Sequence, residues 1–138
     1  MTISKDIKFD CAHMLSDYVG KCANLHGHTY HGTVTLNGDV NPETGMLMDY
    51  NCIKRLVNKF DHAIVFSSQE VRNEAENKLH EWAVDYGMRY VILPVGKSTA
   101  ENIAKYLAAA FIEQPGVSSV QIKLSETDGS WATAEDYR

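Results

Sequence analysis

The amino-acid sequence predicts an α+β fold with an antiparallel sheet, and two patterns indicate it. Segments near both ends of the chain alternate apolar and polar residues with the period of two that is typical of half-buried strands. The middle of the chain repeats apolar residues at the spacing of amphipathic helices. At 138 residues the chain has the size of one domain, and no internal repeat or linker divides it. We therefore predict a single domain over residues 1–138.

Two predicted strands open the chain. Over residues 7–13 the odd positions form an apolar face that ends on His13. A second strand is predicted over about residues 26–37, with the even positions facing inward and the odd positions, including His31, facing outward. His13, His26 and His28 therefore share the inward side of a predicted strand pair.

Three helices and further strands complete the predicted order. The apolar stripes of the helices are Ile53, Leu56, Val57 and Phe60, then Ala75, Leu79, Trp82, Ala83 and Tyr86, then Ile103, Tyr106, Leu107, Ala110 and Phe111. Ser98 and Glu101 have the spacing of a capping box at the start of the third helix. A short apolar run, residues 90–93, precedes that helix. Residues 120–124 alternate as a strand, and a last strand is predicted near residues 131–137.

Charge and composition exclude several classes of function. The net charge is −5 with 13 Lys+Arg, and no basic run is interleaved with aromatic residues, so nucleic acid is not an expected partner. No apolar stretch has the length of a membrane span, and the N-terminus lacks a signal-peptide core, so we expect a cytoplasmic protein without membrane contact. Three cysteines in such a compartment are expected to stay reduced.

The three inward histidines predict a metal site. His26 and His28 are two residues apart on one strand, so their imidazoles leave the same face, and His13 joins them if the two strands pair. Three neutral imidazoles suit zinc and leave a fourth coordination position open for chemistry. His31 has the opposite parity and is not expected to bind the ion bound by His26 and His28.

Cys22 is open to two interpretations. A cysteine four positions before His26 could complete a closed Cys/His structural zinc site, or it could serve as a nucleophile or base, because a nearby cation favours the thiolate form. Spacing alone does not choose between them. Cys11 and Cys52 have no comparable neighbours and are interpreted as small buried hydrophobic residues.

Two acidic features are further candidates. In Asp61-His62 the carboxylate could orient the imidazole for acid-base chemistry, although the dipeptide alone favours an ordinary polar helix end. Glu126 continues the inward face that ends at Leu124, so its carboxylate is expected to need a pair of donors. A ligand with two parallel N–H groups would supply them, whereas a glutamate turned to solvent at the strand end would need none.

Six motifs that occur in one order resemble the 6-pyruvoyl-tetrahydropterin synthase and 6-carboxytetrahydropterin synthase family. They are Phe-Asp-Cys-Ala-His at 9–13, Cys-Ala-Asn-Leu-His-Gly-His-Thr-Tyr at 22–30, Gly-Met-Leu-Met-Asp-Tyr at 45–50, Phe-Asp-His at 60–62, Thr-Ala-Glu-Asn at 99–102 and Ser-Glu-Thr at 125–127. The resemblance covers nearly the whole chain. It implies the tunnelling fold (T-fold), a four-stranded antiparallel sheet with helices on one face.

The resemblance also implies roles and partners. His13, His26 and His28 correspond to zinc ligands, Cys22 to the catalytic thiol, and Glu126 to the anchor of a pterin ring. Asp61 and His62 correspond to a proton-relay pair. The implied assembly is a homohexamer, a dimer of trimers with active sites between subunits, and the implied substrate is a pterin triphosphate.

The short spacing from Cys22 to His26 resembles the carboxy-forming branch of the family. That branch implies conversion of 7,8-dihydroneopterin triphosphate to 6-carboxy-5,6,7,8-tetrahydropterin with release of acetaldehyde and triphosphate, in queuosine precursor synthesis. The alternatives are a pyruvoyl-forming synthase, a zinc cyclohydrolase of the same fold, or a zinc-containing pterin-binding module without catalysis.

Overall fold

A computed structural model describes all residues from 1 to 138. Six strands and three helices form the fold. The strands are β1 (Thr2–His13), β2 (His26–Gly38), β3 (Ala63–Phe66), β4 (Tyr90–Ile92), β5 (Val117–Ser125) and β6 (Ala132–Tyr137), and the helices are α1 (Tyr50–Asn58), α2 (Glu74–Asp85) and α3 (Ala100–Ile112). Single 3-10 turns cover Lys21–Ala23 and Gln69–Val71.

The sheet is mixed and has the strand order β4-β3-β1-β2-β5-β6. Four of its strands, β1, β2, β5 and β6, pair antiparallel in sequence order, which confirms the antiparallel sheet that the alternating segments predict. The expectation of four strands is wrong, because β3 pairs parallel with β1 and β4 pairs parallel with β3. Both added strands are too short to show a period of two, so their pattern does not distinguish strand from helix or loop.

The core lies on the inward face of β1 and β2, as the alternation predicts. Phe9 and Tyr30 stack with ring centroids 5.1 Å apart, and both are almost completely buried. Helix α3 packs against β5 and β6, and its buried stripe, which includes Ile103, Leu107 and Phe111, belongs to the same core cluster. The opposite face of β1 and β2 is largely exposed and polar. The metal-ligand candidates therefore extend from the edge of a rigid core.

Two details of the helices differ from the prediction. Helix α2 buries Glu76 and Ala83, whereas Trp82 and Tyr86 of the predicted stripe are exposed. Helix α3 is capped by Thr99, whose side chain accepts from the backbone N of Asn102, and not by the predicted capping box of Ser98 and Glu101. Ser98 is instead fully buried. None of the three helices has the length and apolarity needed to cross a membrane.

Candidate metal centre and active site

The three predicted histidines meet where β1 ends and β2 begins. His13 is paired with His26 in the antiparallel register, and Cys11 is paired with His28. All three imidazoles leave the inward face, because side chains separated by two residues on a strand point the same way. Their ring centroids are 4.6 to 5.2 Å apart. The strand parity that excluded His31 is also confirmed, since His31 is exposed on the other face.

The hydrogen bonds of two of these rings determine which nitrogen faces the centre. Nδ1 of His13 lies 2.5 Å from the carbonyl oxygen of Ser98, and Nδ1 of His26 lies 2.6 Å from that of Asn24. A carbonyl oxygen can only accept, so each neutral ring carries its hydrogen on Nδ1 and has a bare lone pair on Nε2. The two Nε2 atoms are 3.1 Å apart. Two lone pairs at this distance repel each other, and a cation between them relieves that repulsion.

His28 and Glu126 complete the cluster. Nε2 of His28 is 2.8 Å from Oε1 of Glu126, yet this nitrogen is buried without a hydrogen-bond partner. The two atoms are close but form no hydrogen bond, so Nε2 of His28 is an unsatisfied polar atom. One atom from each of the three histidines and from Glu126 lies within 4.8 Å of the others. These four side chains form a candidate metal site.

The protonation of the cluster also suits a metal ion. Burial lowers the pKa of His13 and of His28 below the ordinary value, more than the nearby Glu126 carboxylate raises it. Both rings are therefore neutral at pH 7, which is the form that binds a metal. In a tetrahedral zinc site two ligand nitrogens are about 3.3 Å apart, which follows from Zn–N bonds of about 2.0–2.1 Å. The 3.1 Å between Nε2 of His13 and Nε2 of His26 is close to this value, so the donor set and spacing of the cluster fit a zinc ion.

The buried His13 predicts a pH dependence of stability. Because the unfolded state takes up a proton near pH 6.5 and the folded state takes it up only at a lower pH, acidification favours unfolding. We expect the unfolding free energy of the metal-free protein to be fully maintained above pH 7 and to fall as the pH drops below 6.5. Urea titrations at a series of pH values measure this slope.

Two matched variants test whether His13 causes this pH dependence of the unfolding free energy. His31→Ala, on the exposed face of the same strand pair, is expected to keep the dependence, and His13→Ala is expected to reduce it. A slope that His13→Ala leaves unchanged would show that other groups cause the acid sensitivity.

Asp61 and His62 form a second group beside β1. Oδ2 of Asp61 is 2.9 Å from Nδ1 of His62, and Oδ1 accepts from the backbone N of Asp10 at 3.0 Å. These bonds, led by that from Asp10, lower the pKa of Asp61 and keep it ionised. His62 has a positive φ of 58° and an exposed imidazole. Because Nδ1 of this ring faces the carboxylate, Nε2 points away from it. The pair can orient a proton-transferring imidazole.

A depression of about 470 Å³ is lined by His62 and by His28, one residue from each group. Cys22 is half-buried in the turn Lys21–Ala23 and does not line this depression. Its sulfur is not one of the ligand atoms that lie within 4.8 Å of one another in the four-residue cluster. The geometry of the chain thus gives the cluster three histidines and a carboxylate, without a thiolate ligand.

The remaining candidates have ordinary environments. Cys11 is buried, and burial raises the pKa of its thiol to about 12, so it is an inert core residue. Cys52 is half-buried in α1 and accepts from Arg55. Glu101 is exposed near the start of α3. The contact that the sequence analysis missed is that of Ser98, whose carbonyl oxygen orients His13 across 85 residues of sequence. The local sequence around Ser98 predicted a helix cap instead.

Comparisons with known proteins agree with this fold and identify the family. A family model described as 6-pyruvoyl tetrahydropterin synthase matches residues 2–136. The chain is 31% identical over 142 residues to the 6-carboxy-5,6,7,8-tetrahydropterin synthase of Haemophilus influenzae, covering 97% of this chain and 98% of that one. It is 32% identical over 133 residues to a putative enzyme of the same name from Pyrococcus abyssi, covering 91% and 83%.

Solved structures show the same fold at lower identity. The 6-pyruvoyl tetrahydropterin synthase of Plasmodium vivax has a TM-score of 0.63 at 20% identity, covering 100% of this chain and 99% of that one. An uncharacterised protein from Wolinella succinogenes has a TM-score of 0.69 at 20% identity, covering 100% and 98%. The fold likeness and the family match over nearly the full length lead to one conclusion: the chain belongs to the 6-pyruvoyl tetrahydropterin synthase family.

Proposed function

We propose that this chain is a zinc-dependent enzyme that converts 7,8-dihydroneopterin triphosphate to 6-carboxy-5,6,7,8-tetrahydropterin, releasing acetaldehyde and triphosphate. The observation that carries the proposal is the cluster of His13, His26 and His28 with its facing Nε2 atoms, found in a chain of this family. The carboxy product is favoured by the names of the full-length relatives and by the three-residue spacing between Cys22 and His26.

In this proposal His13, His26 and His28 hold zinc through Nε2. A zinc ion bound there supplies a Lewis acid for the hydroxyl groups of the substrate side chain. The chain fixes the geometry of the site before substrate arrives, because the Ser98 and Asn24 carbonyls already orient two of the three rings. Preorganised ligands avoid a reorganisation cost during reaction.

Proton transfer is assigned to side chains outside the metal ligands. Sγ of Cys22 accepts or returns a proton at the substrate side chain, and Nε2 of His62 handles a second proton. Asp61 holds Nδ1 of His62 through Oδ2, which selects the tautomer with a free Nε2. The support is the Asp61–His62 contact and the depression that His62 shares with His28.

Glu126 is proposed to anchor the pterin ring. Its carboxylate lies beside the metal cluster with a side chain that is 29% exposed, so a ligand can reach it. An amino group and an adjacent ring N–H form two parallel donors, and an ionised carboxylate accepts both. The same carboxylate is within reach of the cluster centre, so anchor and ligand are the two roles that an experiment has to separate.

The variant Glu126→Gln distinguishes the role of pterin anchor from that of metal ligand. Loss of a charged acceptor costs about 1.5–3 kcal/mol, which corresponds to about 10- to 100-fold weaker pterin binding. We expect KM to rise by that factor while the zinc dissociation constant stays the same. Steady-state kinetics and chelator competition measure the two quantities, and Glu113→Gln, at an exposed glutamate that follows the end of α3, is the control. Parallel weakening of zinc binding would make Glu126 a metal ligand instead.

We also propose that the active enzyme is a homo-oligomer, a hexamer built as a dimer of trimers, with active sites between subunits. The supporting observations are that β4 and β6 are edge strands of an open sheet and that the side chain of His62 is 77% exposed. Unpaired edges favour pairing with another chain. Light scattering of the purified protein gives the mass, and a monomer with full activity would contradict this assembly.

Product analysis tests the reaction directly. The zinc-loaded protein is incubated with 7,8-dihydroneopterin triphosphate, and the mixture is resolved by liquid chromatography and mass spectrometry. We expect the carboxy-tetrahydropterin together with acetaldehyde. A pyruvoyl product would assign the chain to the reaction that gives the family its description, and binding without turnover would show a non-catalytic pterin module.

A further inference from the structure

Glu76 of α2 is a fully buried carboxylate that forms no salt bridge with a cationic side chain. A buried charge is costly unless hydrogen bonds replace its hydration. Two hydrogen bonds do so here: the hydroxyl of Ser16 donates to Oε1 at 2.8 Å, and the backbone N–H of Ser67 donates to Oε2 at 2.7 Å. The carboxylate does not cap its own helix, since Asn73 supplies the cap by accepting from the backbone N of Glu76 at 3.0 Å.

One of these bonds begins a path to the metal cluster. The backbone N–H of Ser67 donates to Glu76. The hydroxyl oxygen of Ser67 accepts from the backbone N of Ser98 at 3.0 Å. The carbonyl oxygen of Ser98 in turn faces Nδ1 of His13. All four residues are buried, with exposed fractions of 0 to 1%. Each link therefore lies in a dry environment, where water cannot replace a bond that is lost.

We infer that Glu76 is a positioning residue for the metal ligand His13, acting through Ser67 and the Ser98 peptide. The inference rests on the proposed role of His13 as a zinc ligand. The partner of the second ring nitrogen determines the tautomer and the direction of a metal-binding imidazole. Glu76 fixes the backbone at Ser67, Ser67 fixes the peptide of Ser98, and that peptide holds Nδ1–H of His13 so that Nε2 faces the centre.

Three variants test this path. Ser67→Ala removes the acceptor for the Ser98 N–H while leaving the backbone bond to Glu76. Glu76→Ala removes the anchor, and Glu76→Gln restores an acceptor for the Ser67 N–H. Ser16→Ala is the matched control, since it removes a buried hydroxyl and one bond to Glu76 but lies off the path to His13. Every one of these variants is expected to lose some stability, so a change in melting temperature does not distinguish positioning from packing.

The decisive readout is zinc affinity, measured by competition with a chromogenic chelator. Loss of an outer-shell partner typically weakens metal binding 10- to 100-fold. We expect Ser67→Ala and Glu76→Ala to weaken zinc binding by at least about tenfold, Glu76→Gln to recover most of the loss, and Ser16→Ala to bind zinc within about twofold of the wild type. If Glu76→Ala does not fold, Ser67→Ala and Glu76→Gln carry the test. Wild-type affinity in Ser67→Ala, or an equal loss in Ser16→Ala, would overturn the inference.

A second readout needs no metal. The Nδ1–H proton of His13 in the metal-free protein is followed by 1H-15N NMR, with His13→Ala used for its assignment. We expect its resonance to shift and its solvent exchange to accelerate in Ser67→Ala and Glu76→Ala, but not in Ser16→Ala. An unchanged resonance in Ser67→Ala overturns the path even if the proposed reaction is correct. If this resonance responds as expected while the wild type forms no pterin product, the proposed function fails and the path remains.

Discussion

Replacing Cys22 with alanine is expected to abolish turnover of 7,8-dihydroneopterin triphosphate while the protein keeps its zinc. The structure places Cys22 in the turn before β2, outside the group of ligand atoms formed by the three histidines and Glu126. Its loss should therefore leave the metal site intact. A side chain that transfers a proton in the rate-limiting step contributes about 10²- to 10⁴-fold, so we expect kcat to fall by this factor. Steady-state kinetics and metal analysis of the same preparation measure both quantities.

The control for Cys22→Ala is Cys52→Ala. Cys52 is also a half-buried free thiol, but it lies in α1 beside Arg55, and its replacement should preserve kcat. A Cys22→Ala protein that loses zinc would identify Cys22 as a ligand, which is the alternative that its spacing to His26 left open. Full activity in Cys22→Ala would show that other groups carry out the proton transfer.

The histidine cluster was predictable from the sequence because it depends on strand parity. A strand has a side-chain period of two, so His26 and His28 must share a face whatever the rest of the fold does. Pairing of β1 with β2 then brings His13 opposite His26. The same reasoning excluded His31 without any knowledge of tertiary contacts. Local periodicity was sufficient because all three histidines belong to one pair of neighbouring strands.

The surroundings of the site were not predictable in this way. Ser98 contacts His13 across 85 residues of sequence, and no local pattern encodes that contact. Its neighbour Glu101 made it resemble a helix cap, whereas the cap belongs to Thr99. The position of Glu76 three residues after Asn73 is typical of a capping box, but its carboxylate accepts from Ser16 and Ser67 and not from the backbone N of Asn73. The partners of its carboxylate lie on other segments, and only the folded structure reveals them.

The two short parallel strands, β3 and β4, were not predicted from the sequence for a related reason. β3 has four residues and β4 has three, which is too short for alternation to appear, and strands buried in a sheet often read as continuous apolar runs. β3 has a direct consequence for the site, because its pairing with β1 brings Ala63 beside Cys11. His62, the residue before β3, is thereby carried to the depression that His28 lines. The unpredicted strand thus places one residue of each group beside the same depression.

Replacing His28 with alanine is expected to remove zinc binding and activity together. His28 is one of three imidazoles in the cluster, and its Nε2 has no hydrogen-bond partner in the folded chain. Since even outer-shell partners contribute about 10- to 100-fold to metal affinity, the loss of a direct ligand should weaken zinc binding by more than about 100-fold. Metal analysis after dialysis and isothermal titration with zinc chloride measure the effect.

The comparison with His31→Ala makes the result specific. His31 lies three residues further along β2 on the exposed face, so its replacement removes the same chemical group from the same strand without touching the cluster. We expect wild-type zinc content and activity in that variant. The metal-free His28→Ala protein should remain folded, because the change relieves an unsatisfied buried nitrogen next to Glu126 and adds no buried charge. If His28→Ala bound zinc as tightly as the wild type, His28 would not be a ligand, and His13 and His26 would have to bind zinc together with another side chain, either Glu126 or Cys22.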